Sequence, residues 1–105
     1  MDELDLGLVT VSLLHDAEAL VVVLTGELDI SYADAVRDAL APSLAERVPR
    51  LVFDLAGLRF MDSSGIALML WAAGQCDDIV LRDGSPMARR VIEVTGLSSV
   101  LRLEP

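Results

Sequence analysis

The sequence predicts an α/β domain with a mixed sheet, and three observations carry that expectation. Apolar, largely β-branched runs of strand length recur along the 105 residues. Between the later runs lie segments whose apolar residues return at helical spacing. The first two runs are parted only by His15-Asp16-Ala17-Glu18, too little chain for a helix, which reads as a hairpin. Strands joined through helices pair in parallel by right-handed crossovers, while the hairpin adds an antiparallel pair. We expect one domain over 1–105, with a sheet of four to five strands and helices packed against it.

Val9 to Leu14 and Ala19 to Thr25 form the hairpin strands, and the second, Leu20-Val21-Val22-Val23-Leu24, is apolar without alternation. Such a run predicts a central strand buried on both faces. After Gly26-Glu27-Leu28-Asp29, Ser31 reads as an N-cap with Asp34 in the first turn, and Ala33, Val36, Leu40 and Leu44 mark the first helix. Pro42 should kink or split it near Ala41, since proline removes an amide donor and clashes one turn back. Leu51 to Leu55 is the next strand, Asp62 to Ala73 the second helix and Ile79 to Arg82 a further strand. Ser85-Pro86 opens a third helix with a cap and a proline at its first position, and Gly96 ends it. Val100 to Leu103 adds a short last strand.

Composition narrows the functions available. With 53% hydrophobic and 24% charged residues the chain can build a core, and its length leaves no room for a second. The longest apolar stretches, Ala19 to Leu24 and Ile66 to Ala73, fall far short of the roughly 18 residues that span a bilayer. The acidic start, Met1-Asp2-Glu3, is unlike a secretory leader. A cytoplasmic protein without membrane insertion is expected. One cysteine, Cys76, and one histidine, His15, exclude an internal disulfide and a Cys/His zinc site, so no metal is expected. The absence of lysine removes Schiff-base chemistry and the phosphate-loop lysine, and no cofactor is expected. A net charge of −9 argues against direct nucleic-acid binding. Residues 1–52 carry three Arg against ten acids, and 53–105 five against seven, so a partner of the first half should be basic.

The chemistry concentrates between Phe60 and Ala73, FMDSSGIALMLWAA. Asp62 is suited to cap the second helix, because a carboxylate accepts from first-turn amides that have no partner within the helix. Ser63 then sits at a helix N-terminus beyond the carboxyl end of a strand, where open α/β sheets usually place functional residues. The run after it is apolar all round, whereas a surface helix normally has a polar face. With Ile66, Met69, Leu70 and Ala73 as the core stripe, Ser64, Leu68 and Trp71 form a second stripe, covered either by another element or by a partner protein.

These residues resemble a known family. GELD at Gly26 to Asp29 with the apolar strand before it, FMDSSG at Phe60 to Gly65, the segment Val91 to Leu97 and the closing Leu101-Arg102-Leu103 are similar, in order and over nearly the whole chain, to the STAS-domain anti-sigma factor antagonists. The resemblance implies a single STAS domain and a phosphorylation switch. In that family the unmodified protein binds an anti-sigma factor that is also a serine kinase, displacing a sigma factor. The kinase phosphorylates the serine after the motif aspartate, here Ser63, and a serine phosphatase reverses it. Asp62 carries over as the cap, Asp29 as the acid beside the serine, and Ser64 and Gly65 as motif neighbours. Leu68 and Trp71 complete the expected partner surface. The nucleotide belongs to the kinase. Trp71 stands where family members carry something small, a departure that bears on partner choice. Monomer and dimer are left open.

Two rival readings stand beside this one. A hydrolase using Ser63 or Ser64 would need His15 as its base and lacks the Gly-x-Ser-x-Gly elbow, so no catalytic residue is expected and the chain is not read as an enzyme. A STAS scaffold, or an accessory subunit of a stress-signalling complex or membrane transporter, would share the fold without phospho-switching. Asp77-Asp78 reads as a solvated turn, Arg89-Arg90 as an exposed solubilising pair, and Cys76 as an unreactive thiol beside two acids.

Overall fold

The computed structural model describes residues 2–15 and 18–104. Six strands form one sheet in sequence order: β1 (Asp2–Asp5), β2 (Val9–His15), β3 (Ala19–Leu28), β4 (Val48–Met61), β5 (Cys76–Arg82) and β6 (Arg102–Glu104). The first two pairings are antiparallel and the remaining three parallel. Helices α1 (Ile30–Leu40), α2 (Ser63–Ala73) and α3 (Pro86–Val94) fill the parallel crossovers. The mixed α/β fold agrees with expectation, but the sheet has six strands rather than four to five. The missed strand, β1, reads Asp-Glu-Leu-Asp and has no apolar run to betray it. It lies at the sheet edge, where acidic side chains discourage pairing with other chains. The hairpin forms as expected; its tip at 16 and 17 lies outside the described residues.

Because β3 through β6 step across the sheet in one direction, right-handed crossovers put all three helices on the same face. The core sits between that face and the helices: Leu20, Val22 and Leu24 of β3, Leu51 and Phe53 of β4, and Val36, Met69 and Ile92 of the three helices. The other face is open, which corrects the reading of β3 as buried on both sides. Its residues alternate, with Val21 and Val23 only half-buried. On this open face Val52 and Val80 are sealed, at 2% and 0% exposure, outside the main core. Above them Arg50 and Arg102 pair with Asp78, at 3.8 and 2.9 Å, and Arg50 with Glu104 at 3.5 Å. Charged side chains here lay their stems over apolar surface. Asp77 and Asp78 thus belong to a strand and to ion pairs, not to a solvated turn.

Three further boundaries differ from expectation for identifiable reasons. The cap of α1 is Asp29 rather than Ser31: its carboxylate accepts from the Ser31 amide at 2.9 Å. Pro42 acts as expected, ending α1 at Leu40 and leaving a single 3-10 turn over Ala41–Leu44. β4 runs to Met61, well past Leu55, because two register shifts against β3 interrupt its pattern and turn Leu58 and Met61 inward while Phe60 stays out. The last strand begins only at Arg102, since Val100 closes a turn onto Leu97. The cap and stop of α3 are Ser85 and the left-handed Gly96, as expected. Arg89 is half-buried and donates to the Glu104 carbonyl at 3.0 Å, so only Arg90 of that pair is a free-standing surface charge by burial.

Candidate functional site: two capped helix starts and a groove

β3 and β4 are parallel neighbours, with Leu28 opposite Met61, so the helices that follow them start side by side. Each start is capped by an aspartate immediately after its strand, Asp29 for α1 and Asp62 for α2. The two caps are laced together. Asp62 Oδ1 accepts from the Ser64 amide at 2.9 Å and from the Ser64 hydroxyl. Its other oxygen accepts from the Ile30 amide, the first residue of α1, at 3.3 Å, and the Asp62 amide donates to the Leu28 carbonyl at 3.3 Å. One carboxylate therefore serves two helix N-termini, whose partial positive charges both favour it. The Ser64 hydroxyl bond is the main reason the Asp62 carboxyl is held below its ordinary value of 3.8; partial burial opposes this, and the amides of Ser64, Ile30 and Gly65 reinforce it.

Ser63 is the first helical residue of α2 and is exposed, and its hydroxyl has no hydrogen-bond partner among the described residues. Ser64 differs: it is half-buried and tied to Asp62. Gly65 is buried against the end of β4, where a Cβ would stand 2.3 Å from Met61 Cγ and 3.3 Å from Leu28. Only a residue without a side chain lets the first turn of α2 sit this close to the sheet. Gly26, in the GELD segment, has an equally structural reason: its φ is +97° and a Cβ would meet the Leu8 carbonyl at 2.0 Å.

The structure brings Asp29, Asp62, Ser63 and Ser64 to one end of the molecule and redistributes the rest. Leu68 is 4% exposed, so it belongs to the core rather than to an outward stripe. Ala72 is buried where Leu70 and Ala73 were expected to be. The helix is apolar all round because it is covered on two sides, by the sheet beneath and by α1 beside it. Between α1 and α2 a groove of about 160 Å³ remains. Ile30, Ala33, Asp34 and Arg37 form one wall; Ser64, Ala67, Leu68 and Trp71 form the other. Trp71 is half-buried there, with the Arg37 guanidinium 4.8 Å from its ring centroid. At an exposed site that cation–π contact is worth about 0.5–1 kcal/mol. Sequence reasoning missed Ile30, Arg37 and Ala67. Ile30 had a signal, an isoleucine directly after a helix cap, and it is 78% exposed beside the serine. The other two become visible only when the helices are set side by side.

The strand ends, the paired caps and the groove define a class: an α/β module that presents an unpartnered serine at a helix start beside an apolar cleft. The chain belongs to the STAS domain family, in its anti-sigma factor antagonist branch. The family described as "Mlab, STAS domain" matches residues 11–103. An anti-sigma F factor antagonist from Lysinibacillus sphaericus is 32% identical over 85 residues, covering 76% of this chain and 73% of the relative. The crystal structure of an anti-sigma factor antagonist from Mycobacterium paratuberculosis superposes with a TM-score of 0.83 at 27% identity, over 92% of this chain and 86% of that one. The anti-sigma factor antagonist SpoIIAA in its unphosphorylated form gives 0.75 at 26% identity, over 90% and 88% of the two chains. The Bacillus cell fate determinant SpoIIAA in its phosphorylated form gives 0.69, also at 26%, over 90% and 91%. Among the described residues no group of three or more His, Cys, Asp or Glu is placed to hold a metal, and no helix is long and apolar enough to cross a membrane.

Proposed function

We propose that this chain is an anti-sigma factor antagonist that works by partner switching in the cytoplasm. Unphosphorylated, it binds an anti-sigma factor that is also a serine kinase, and so releases a sigma factor. The observation that carries this reading is the exposed, unpartnered hydroxyl of Ser63 on the first residue of α2. The existence of its relative SpoIIAA in phosphorylated and unphosphorylated forms supports it. The kinase supplies ATP: Ser63 Oγ bonds to the γ-phosphorus as the bond to the β-phosphate oxygen breaks, ADP leaves, and the serine proton passes to the kinase's base. A serine phosphatase hydrolyses the ester.

The switch acts on the interface rather than the fold. A phosphate brings about −1.5 to −2 charge, which the helix dipole favours by about 0.3–1 kcal/mol and the Asp62 and Asp29 carboxylates oppose. Those effects are of similar size and opposite sign, so the fold should barely respond. Inside an apolar contact the same charge, left unpaired, costs several kcal/mol, enough to abolish a micromolar complex. Asp29, Asp62, Ser64 and Trp71 form the partner surface, Gly65 by its lack of a side chain and Leu68 as the groove floor.

Intact mass of the protein from its own cells, before and after phosphatase treatment, with peptide mapping across Met61 to Ala73, tests the reading. A phosphate-sized shift on Ser63, absent in Ser63→Ala, is expected. No phosphate under any growth condition would overturn it in favour of a scaffold or an accessory subunit of a signalling complex or transporter.

A further inference from the structure

We infer that the groove between α1 and α2 is a socket for one large apolar side chain of the partner, carried next to an Arg or Lys, and that Arg37 lying on Trp71 is its lid. This rests on the partner-switching reading and adds which residues choose the partner. The groove measures about 160 Å³, against about 150 Å³ for an apolar cavity that accepts benzene, so its capacity is one aromatic or branched side chain. It exists because Ala33 and Ala67 face each other across it; two methyls stand where larger side chains would close the helices together, with Leu68 beneath. Ile30, 78% exposed and lining the groove, extends its apolar surface outward.

Charge selects the occupant. Asp34 lines the groove, and Asp29 and Asp62 cap the starts of its two walls, so carboxylates gather at the mouth. Arg37 is the one cation among the groove's lining residues, and it lies over the ring at the far end. A segment entering from the mouth is favoured when a basic residue precedes its apolar anchor, and the anchor must slide Arg37 off the indole to seat against Trp71. A second copy of this chain, at net charge −9 and with the same carboxylates at its own mouth, is repelled by that arrangement.

The test uses the full chain and the anti-sigma factor kinases of the same organism, each purified with ADP. Trp71 is the sole tryptophan, so 5-fluorotryptophan labelling gives one ¹⁹F resonance that reports the socket alone. On complex formation that resonance should shift and lose its solvent-isotope sensitivity. Ala67→Leu grows a side chain into the groove from an exposed helical position and should keep the circular dichroism of the parent. It should weaken binding about thirtyfold, the weight of one buried anchor. Arg37→Ala should bind at least as tightly as the parent. If Ala67→Leu binds within about twofold while Ser63→Asp abolishes the complex, the socket is overturned and the switch stands. If Ala67→Leu loses binding while Ser63→Asp keeps it, the socket stands and the switch falls. A ¹⁹F shift that follows the concentration of the chain alone, with dimer in sedimentation, overturns the assigned occupant.

Discussion

The two ends of α2 solve the same electrostatic problem in opposite ways. At its start the unpaired amides meet a carboxylate, Asp62, one residue before the helix. At its end the carbonyl of the C-cap residue meets a cation from elsewhere in the chain: Arg47 donates to the Gly74 carbonyl at 3.2 Å, reaches on to the Cys76 carbonyl at the start of β5 at 2.8 Å, and pairs with Asp77 at 2.5 Å. Both match the helix dipole. The first end leaves the Ser63 hydroxyl exposed; the second ties helix, loop and strand into one bracket. One end of the helix is thus capped locally and left open, and the other is anchored through contacts distant in sequence.

The comparison breaks most severely at Gly65. Gly65→Ala gains helix propensity of about 1 kcal/mol but drives a Cβ into Met61, and overpacking of this kind costs about 1–3 kcal/mol. A net loss of up to about 2 kcal/mol is expected in urea melts. Gly65→Ala combined with Met61→Ala should be less destabilised than the two single losses added together, because the side chain that clashes is gone.

Asp62→Ala comes next, with about 1–1.5 kcal/mol for the lost cap and for stranding the Ile30 amide. Its pH dependence has a definite sign. The folded Asp62 carboxyl lies below its ordinary 3.8, so its stabilisation is complete above that value and is lost as pH falls through the lower, folded one. The stability gap between the parent and Asp62→Asn should be flat from about pH 5 upward and should close below about pH 4. A gap that instead closes as pH rises would mean that Asp62 is not the charged cap described.

The same contrast explains what could be read from the sequence. The start of α2 was legible because its cap, serines and glycine are contiguous, and local hydrogen bonding needs no knowledge of the fold. For the same reason Ser85-Pro86 and Pro42 gave correct helix boundaries. The end of α2 was not legible: Arg47 reaches Asp77 across 30 residues, and nothing local to either marks the pair. The open sheet face was hidden by its valines, since Val21 and Val23 look like core until the crossovers show that no helix lies over them. The groove was half legible. Trp71 was singled out, but Leu68 was placed outward because one helix read alone cannot show that a second helix covers its flank.

The smallest expected effect, at the anchored end, separates two accounts of Cys76. Burial pushes its thiol above the ordinary 9.0; the Arg47 charge pulls it down, and Asp78 and Asp77 push it further up. The thiol is 3% exposed and turned toward the Ala72 carbonyl at 3.5 Å. Slow alkylation by a maleimide at pH 8 follows from either scarcity of thiolate or lack of access. Arg47→Ala pulls these apart. It removes the charge that lowers the thiol, which alone would slow the reaction. It also loosens the bracket by about 1 kcal/mol, since the side chain is mostly exposed and its bonds are discounted accordingly, and that would raise opening about fivefold. With Cys76 only 3% exposed, access should govern and the variant should react about fivefold faster than the parent. Slower alkylation in the variant would show that Arg47 acts there as a charge and not as a clamp.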